Sequence, residues 1–271
     1  MKKLLIVFLL FVVLTGCTQT QETDGLNVIV SIAPYGTFVE EIGSERVNVE
    51  VMVPKGGNPH TYEPSPQKLT SVSNADVYVK VGTPIEFEVA WFDKIRSVNN
   101  EMLVVDSSSG ISANDPHIWV SPRMTKTIAK NIYEGLAEAD PANKEYYEGN
   151  MNDYLEELDS LDEEIQNSVS KMENKNFIVY HGAWENLAND YNLTQIAIEE
   201  GGKNPSAKQI QETIKLARRN NITVVFASPQ FSTRSAEVIA DEINGSVVLI
   251  DPLAQDYITN MKKVAEAFGK S

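Results

Sequence analysis

Residues 142–172, "ANKEYYEGNMNDYLEELDSLDEEIQNSVSKM", follow Asp140-Pro141 and run on without a convincing helix breaker. Tyr147, Met151, Tyr154, Leu158, Leu161, Ile165, Val169 and Met172 recur at steps of three or four. That spacing places them in one apolar stripe on a single helix, roughly 45 Å long at 1.5 Å per residue. Before it lie four β-rich runs, "NVIVSI" (27–32), "VNVEVMV" (47–53), "DVYVKV" (76–81) and "MLVV" (102–105). After it lie four more, "FIVY" (177–180), "TQIAI" (194–198), "ITVVFA" (222–227) and "VVLI" (247–250). Helical patterns fill the gaps, several opening on a side-chain cap and a proline: Ser65-Pro66, Ser121-Pro122 and Asn204-Pro205. Strands that alternate with helices imply parallel sheets covered by helices. The economical architecture is α/β, with two lobes joined by a long rigid helix: residues 27–139, the connecting helix at 140–173, and residues 174–271. A coiled-coil dimer is the other use of such a stripe, but the pattern ends after four heptads, and a monomer is expected.

The ends narrow the setting. Lys2 and Lys3 precede an unbroken apolar run from Leu4 to Leu14, which fits an export signal too short to span a bilayer as a mature helix. Leu14-Thr15-Gly16-Cys17 resembles the bacterial lipobox, in which cleavage precedes a cysteine that then carries lipid. Residues 1–16 are therefore expected to be removed, Cys17 to be lipidated, and residues 17–26 to form a tether on the outer face of the cell membrane. Acyl chains would supply the anchor.

Cys17 is the single cysteine, so neither an internal disulfide nor a thiolate ligand exists elsewhere. The net charge is −15, and removing Lys2 and Lys3 with the signal makes it more negative still. Nucleic acid would repel such a chain.

The chain holds three histidines among 271 residues. His60 stands in "GGNPHTYEPSP" (56–66) and His117 in "NDPHIWVSP" (114–122), which share one frame: Pro-His, one residue, an aromatic, then Ser-Pro. His181 follows a strand pattern in "FIVYHGAWENLANDYNL" (177–193). All three fall in loops between an extended segment and a helix, where open α/β sheets bind ligands. Three neutral imidazoles supply three of the four ligands that Zn²⁺ usually takes. Asp251, in "VVLIDPLA" (247–254), follows a buried-looking strand and is the leading fourth ligand; Asp115, Glu63, Glu185, Glu199 and Glu200 are rivals. Glu63 and Asp115 are also candidates to hold the far nitrogen of a ligand imidazole.

"NPHTYEPSP", "DPHIWVSP", "VYHGAWENLANDYNL" and "LIDPLA" together resemble the cluster A-I metal-binding lipoproteins of ABC importers, of the zinc/manganese type. The likeness covers roughly residues 27–268. It implies two α/β lobes bridged by a long helix, a metal site in the cleft, and His60, His117, His181 and Asp251 as the ligands. It also implies delivery of the ion to an ABC permease with its ATPase. Relatives that bind manganese often carry glutamate at the His181 position, which favours zinc here. Many zinc members carry a histidine-rich loop between the first two ligands, which "DSSSGISAND" (106–115) lacks, so manganese stays the second choice.

Other classes fit less well. A zinc hydrolase would want an open position and an acid–base group, and H-E-x-x-H, G-x-S-x-G and P-loop motifs are all missing. A carrier of haem, siderophore or corrinoid shares the two-lobe plan but leaves the three placed histidines unexplained. Adhesion could accompany transport without changing the site.

Overall fold

The computed structural model describes residues 25–199 and 203–270. The signal sequence, Cys17 and Glu200 lie outside the described residues. The first sheet comprises β1 (Leu26–Val30), β2 (Val47–Val51), β3 (Val77–Lys80) and β4 (Leu103–Asp106) in the order β2-β1-β3-β4. The second comprises β5 (Asn176–Val179), β6 (Thr194–Ala197), β7 (Val224–Ala227) and β8 (Ser246–Leu249) in the order β6-β5-β7-β8. Every pairing among these eight strands is parallel. The central strands read as apolar runs because helices cover both faces of a parallel sheet.

Helices α1 (Ala33–Gly43), α2 (Pro66–Ser71), α3 (Glu86–Val98) and α4 (Pro122–Ala139) accompany the first sheet. Helix α5 (Lys144–Ser170) links the two, and α6 (Glu185–Asp190), α7 (Ala207–Arg219), α8 (Arg234–Glu242) and α9 (Tyr257–Phe268) follow. The Ser-Pro starts form as expected. Ser65 Oγ accepts the Lys68 N–H at 3.2 Å and Ser121 Oγ accepts the Met124 N–H at 3.0 Å, each ahead of a proline in the first turn. The third start differs: α7 begins at Ala207, because Ser206 and Gln209 form a capping box beyond Asn204-Pro205. The long helix also starts later than 140, after a 3₁₀ turn at Pro141–Asn143.

The stripe on α5 is spent inside the chain. Tyr147, Met151, Tyr154, Leu158, Leu161, Ile165 and Val169 are buried, in one hydrophobic cluster with residues of α1, α4 and α9. Helix α9 returns across the molecule: Phe268 packs on Phe177 and Phe226, while the Tyr257 ring meets Phe38 edge-on at 5.0 Å. One hydrophobic cluster thus runs through both lobes, while a second, around Ile178, Val225 and Ile239, belongs to the second lobe alone.

Polar ties cross the interface as well. Trp119 Nε1–H donates to Pro252 O at 2.6 Å, Asn186 Nδ2–H to Asp115 O at 3.1 Å, and Ser121 Oγ–H to the Asp190 carboxylate. Thr125 and Tyr257 join their hydroxyls at 3.1 Å. These bonds fix the carboxyl ends of the two sheets across a common cleft.

Candidate metal centre

Each histidine is aimed by the backbone around it. In the loop after β2, Asn58 Oδ1 accepts the His60 N–H at 2.9 Å, across Pro59. In the loop after β4, Asp115 Oδ1 accepts the His117 N–H at 2.9 Å, across Pro116. The repeated frame therefore extends one step before its proline. An Asn or Asp two residues ahead of the histidine caps its amide, and the proline between them limits the loop's freedom. His181 is held otherwise. It follows β5 by two residues, and Gln195 of β6 braces its turn, accepting from Trp184 N at 2.7 Å and donating to Gly182 O at 3.2 Å. Gly182 suits that place because a Cβ there would stand 3.2 Å from the Ala197 Cβ.

The three rings converge. His60 Nε2 lies 3.2 Å from His181 Nε2, which in turn lies 3.2 Å from His117 Nε2. Two ligands of a tetrahedral zinc, with Zn–N near ~2.0–2.1 Å, stand about 3.3 Å apart. The two spacings about His181 are close to that separation, and all three ligand atoms lie within 4.8 Å of one another.

On the opposite side of each ring, Nδ1 meets a carboxylate. The distances are 2.8 Å for His60 to Glu86 Oε2, 2.8 Å for His117 to Asp115 Oδ1, and 2.5 Å for His181 to Glu199 Oε1. The contacts of Asp115 and Glu199 are hydrogen bonds; that of Glu86 is close without hydrogen-bond alignment. A carboxylate at Nδ1 selects the tautomer that carries its proton there and leaves the Nε2 lone pair free. Three such lone pairs facing one another repel unless a cation lies between them. The carboxylates also set negative charge behind neutral ligands, which suits a dication.

Burial pushes the Glu86 carboxyl up, but His60, the carboxyl's own backbone N–H and His117 together outweigh it, and the group lies below its ordinary value. Glu86 opens α3, and buried Glu88 anchors that end of the helix to the sheet. Glu88 accepts from Ser31 Oγ at 2.5 Å, from Val81 N at 2.6 Å and from Gly82 N at 3.0 Å. Gly82 adopts φ +84°, and any side chain there would run into Asp106. Burial holds the Glu88 carboxyl above its ordinary range despite these donors.

The other expected residues fall as follows. Among the described residues, the group whose ligand atoms lie within 4.8 Å of one another is His60, His117 and His181, without Asp251. Asp251 Oδ1 instead accepts from Gln230 Nε2 at 2.7 Å and from Leu253 N at 2.8 Å. Its neighbours Pro252 and Leu253 line the cavity of about 230 Å³ that the three imidazoles share with Glu199 and Gln230. Glu63 is exposed and lines no part of that cavity, and Glu185 accepts from Gln195. Trp119 is the donor that ties the Asp251 turn to the His117 loop. Glu86 was not anticipated, because no short-range pattern links "TPIEFE" (83–88) to a histidine more than twenty positions earlier.

Two helix-covered parallel sheets, a linking helix and imidazoles gathered in the cleft define a metal-binding solute-binding protein. A family model described as "Zinc-uptake complex component A periplasmic" matches residues 28–271. A solved structure of ZnuA is 42% identical, covers 92% of this chain and 99% of that one, and superposes with a TM-score of 0.89. The high-affinity zinc uptake system protein ZnuA of Bacillus subtilis is 28% identical, over 85% of this chain and 79% of its own length. The zinc-binding lipoprotein AdcA of Streptococcus pneumoniae is 27% identical over 98% of this chain, which spans 60% of AdcA. The Zn(II)-bound ZnuA-like domain of AdcA has a TM-score of 0.79, at 26% identity, covering 91% of this chain and 98% of that domain. The chain belongs to the ZnuA family of zinc-uptake components.

Proposed function

We propose that this chain captures one zinc ion per molecule through the Nε2 atoms of His60, His117 and His181 and carries it to an ABC permease served by an ATPase. Manganese is the second choice of cargo. Asp251 supplies the oxygen that completes a four-ligand shell once its turn closes on the ion. The observation that carries this reading is that His181 Nε2 lies 3.2 Å from the Nε2 atoms of both His60 and His117, each on a ring whose Nδ1 faces a carboxylate. Zinc suits a donor set rich in imidazole, whereas manganese prefers oxygen. The relatives named for zinc uptake and zinc binding support the same cargo.

The chain acts as a carrier, not a catalyst, and works as a monomer. Cys17 carries the lipid that holds it on the extracytoplasmic face of the membrane, and residues 17–26 tether it there. Native mass spectrometry of protein purified without chelator tests the cargo. One zinc per chain, lost in His60→Ala and His117→Ala, is the expected result; two tightly held ions, or full binding by both variants, would overturn the site.

A further inference from the structure

We infer that Gln230 competes with the metal for Asp251 and so sets how tightly, and for how long, the ion is held. The inference rests on the proposed three-imidazole site with Asp251 as its fourth ligand. Asp251 Oδ1 has two donors, and they differ in kind. The Leu253 N–H, at 2.8 Å, belongs to the turn that Asp251 itself opens and travels with it. The Gln230 Nε2–H, at 2.7 Å, reaches in from the loop between β7 and α8 and does not.

That loop is fixed against the histidines. Phe231 lies with its ring centroid 4.7 Å from that of His181, at an interplanar angle of 34°, and 5.7 Å from that of Tyr180. Gln230 therefore has a set position from which to hold the carboxylate outside the 4.8 Å group of imidazole nitrogens. Its own Oε1 is buried and unpartnered. The side chain is thus kept in place by its bond to Asp251 and not by a second partner of its oxygen.

For Asp251 to ligate the ion, the bond to Gln230 must stretch or break. When Gln230 recaptures Asp251, the ion is left on three imidazoles and leaves more readily. A carrier that must surrender its cargo gains from a fourth ligand with somewhere else to go. Gln230 is on this account a positioning residue, acting through Asp251 and not on the metal.

The test compares the parent with Gln230→Met, which keeps length and loses the hydrogen bond, and with Gln230→Ala as a second route to the same loss. A hydrogen bond to a charged group is strong enough that its removal should tighten zinc binding roughly tenfold. Zinc transfer to a chromophoric chelator should slow to match. Manganese should gain at least as much as zinc, since the freed donor is an oxygen. The visible spectrum of the Co²⁺-loaded protein should shift with the added ligand, and Asp251→Ala in the Gln230→Met background should erase every gain. Unchanged affinity and spectrum in both Gln230 variants would overturn the inference, and weaker binding would show that Gln230 presents Asp251 to the ion. His60→Ala, run beside them, separates the two failures. If it binds zinc like the parent, the site reading falls and this inference with it; if it loses zinc while the Gln230 variants match the parent, only this inference falls.

Discussion

Glu199 offers the sharpest single perturbation of the site. It is 5% exposed, it touches no metal in the proposed arrangement, and its Oε1 lies 2.5 Å from His181 Nδ1. Glu199→Gln keeps an acceptor for the Nδ1 proton, and so the tautomer, but removes the charge that makes His181 a better donor. Glu199→Ala removes both and leaves a buried ring nitrogen without its partner. Loss of such an outer partner typically weakens metal binding 10- to 100-fold, which is about 1.4 to 2.7 kcal/mol. The amide should fall near the low end and the truncation near the high end. Competition for zinc against a chromophoric chelator at fixed pH and ionic strength reads both, with circular dichroism and thermal melts in chelator to confirm that the fold persists. Zinc affinity within twofold of the parent in both variants would refute the role given to this carboxylate.

Three further outcomes follow from the same geometry. His181→Glu exchanges an imidazole for a hard oxygen, so it should lower zinc affinity and narrow the gap to manganese; parallel titrations of the two ions read the ratio. Metal binding requires neutral imidazoles, so zinc affinity should fall steeply between pH 7 and pH 5, and a flat profile by calorimetry would contradict a three-imidazole site. Burial keeps the Glu88 carboxyl above its ordinary value, so the folded state holds this proton more tightly than the unfolded chain. Its contribution to stability therefore declines as pH rises through the weakly acidic range, opposite in sign to Glu86, which lies below that value. Glu88→Gln should remove that decline from the stability–pH curve measured by denaturant unfolding, while costing stability because the Gly82 N–H loses its carboxylate acceptor.

Much of this was legible in the chain because the signals were local. Strands such as Val77–Lys80 and Val224–Ala227 are apolar runs buried on both faces, and the stripe from Tyr147 to Val169 has one unbroken helical period. The Ser65-Pro66 and Ser121-Pro122 starts place His60 and His117 because cap and proline act within one turn. Interactions between distant segments were not legible. Glu86 and Glu199 reach their imidazoles only after sheets and helices have packed, and Glu199, a rival ligand by sequence, stands at Nδ1 of His181. Asp251 has the expected strand-end position, but nothing near it in sequence announces that Gln230 holds its carboxylate. Asn58 and Asp115 were visible in the text of the two motifs, and their common role as amide caps emerges only from the geometry.

The central claim is that the three imidazole Nε2 atoms form the metal's ligand shell. X-ray absorption at the zinc edge, on the parent loaded with one equivalent of zinc, tests it most directly. The account predicts scattering from three imidazoles with Zn–N near ~2.0–2.1 Å and one oxygen donor. A shell dominated by oxygen, or with one imidazole or none, would place the ion elsewhere and contradict it.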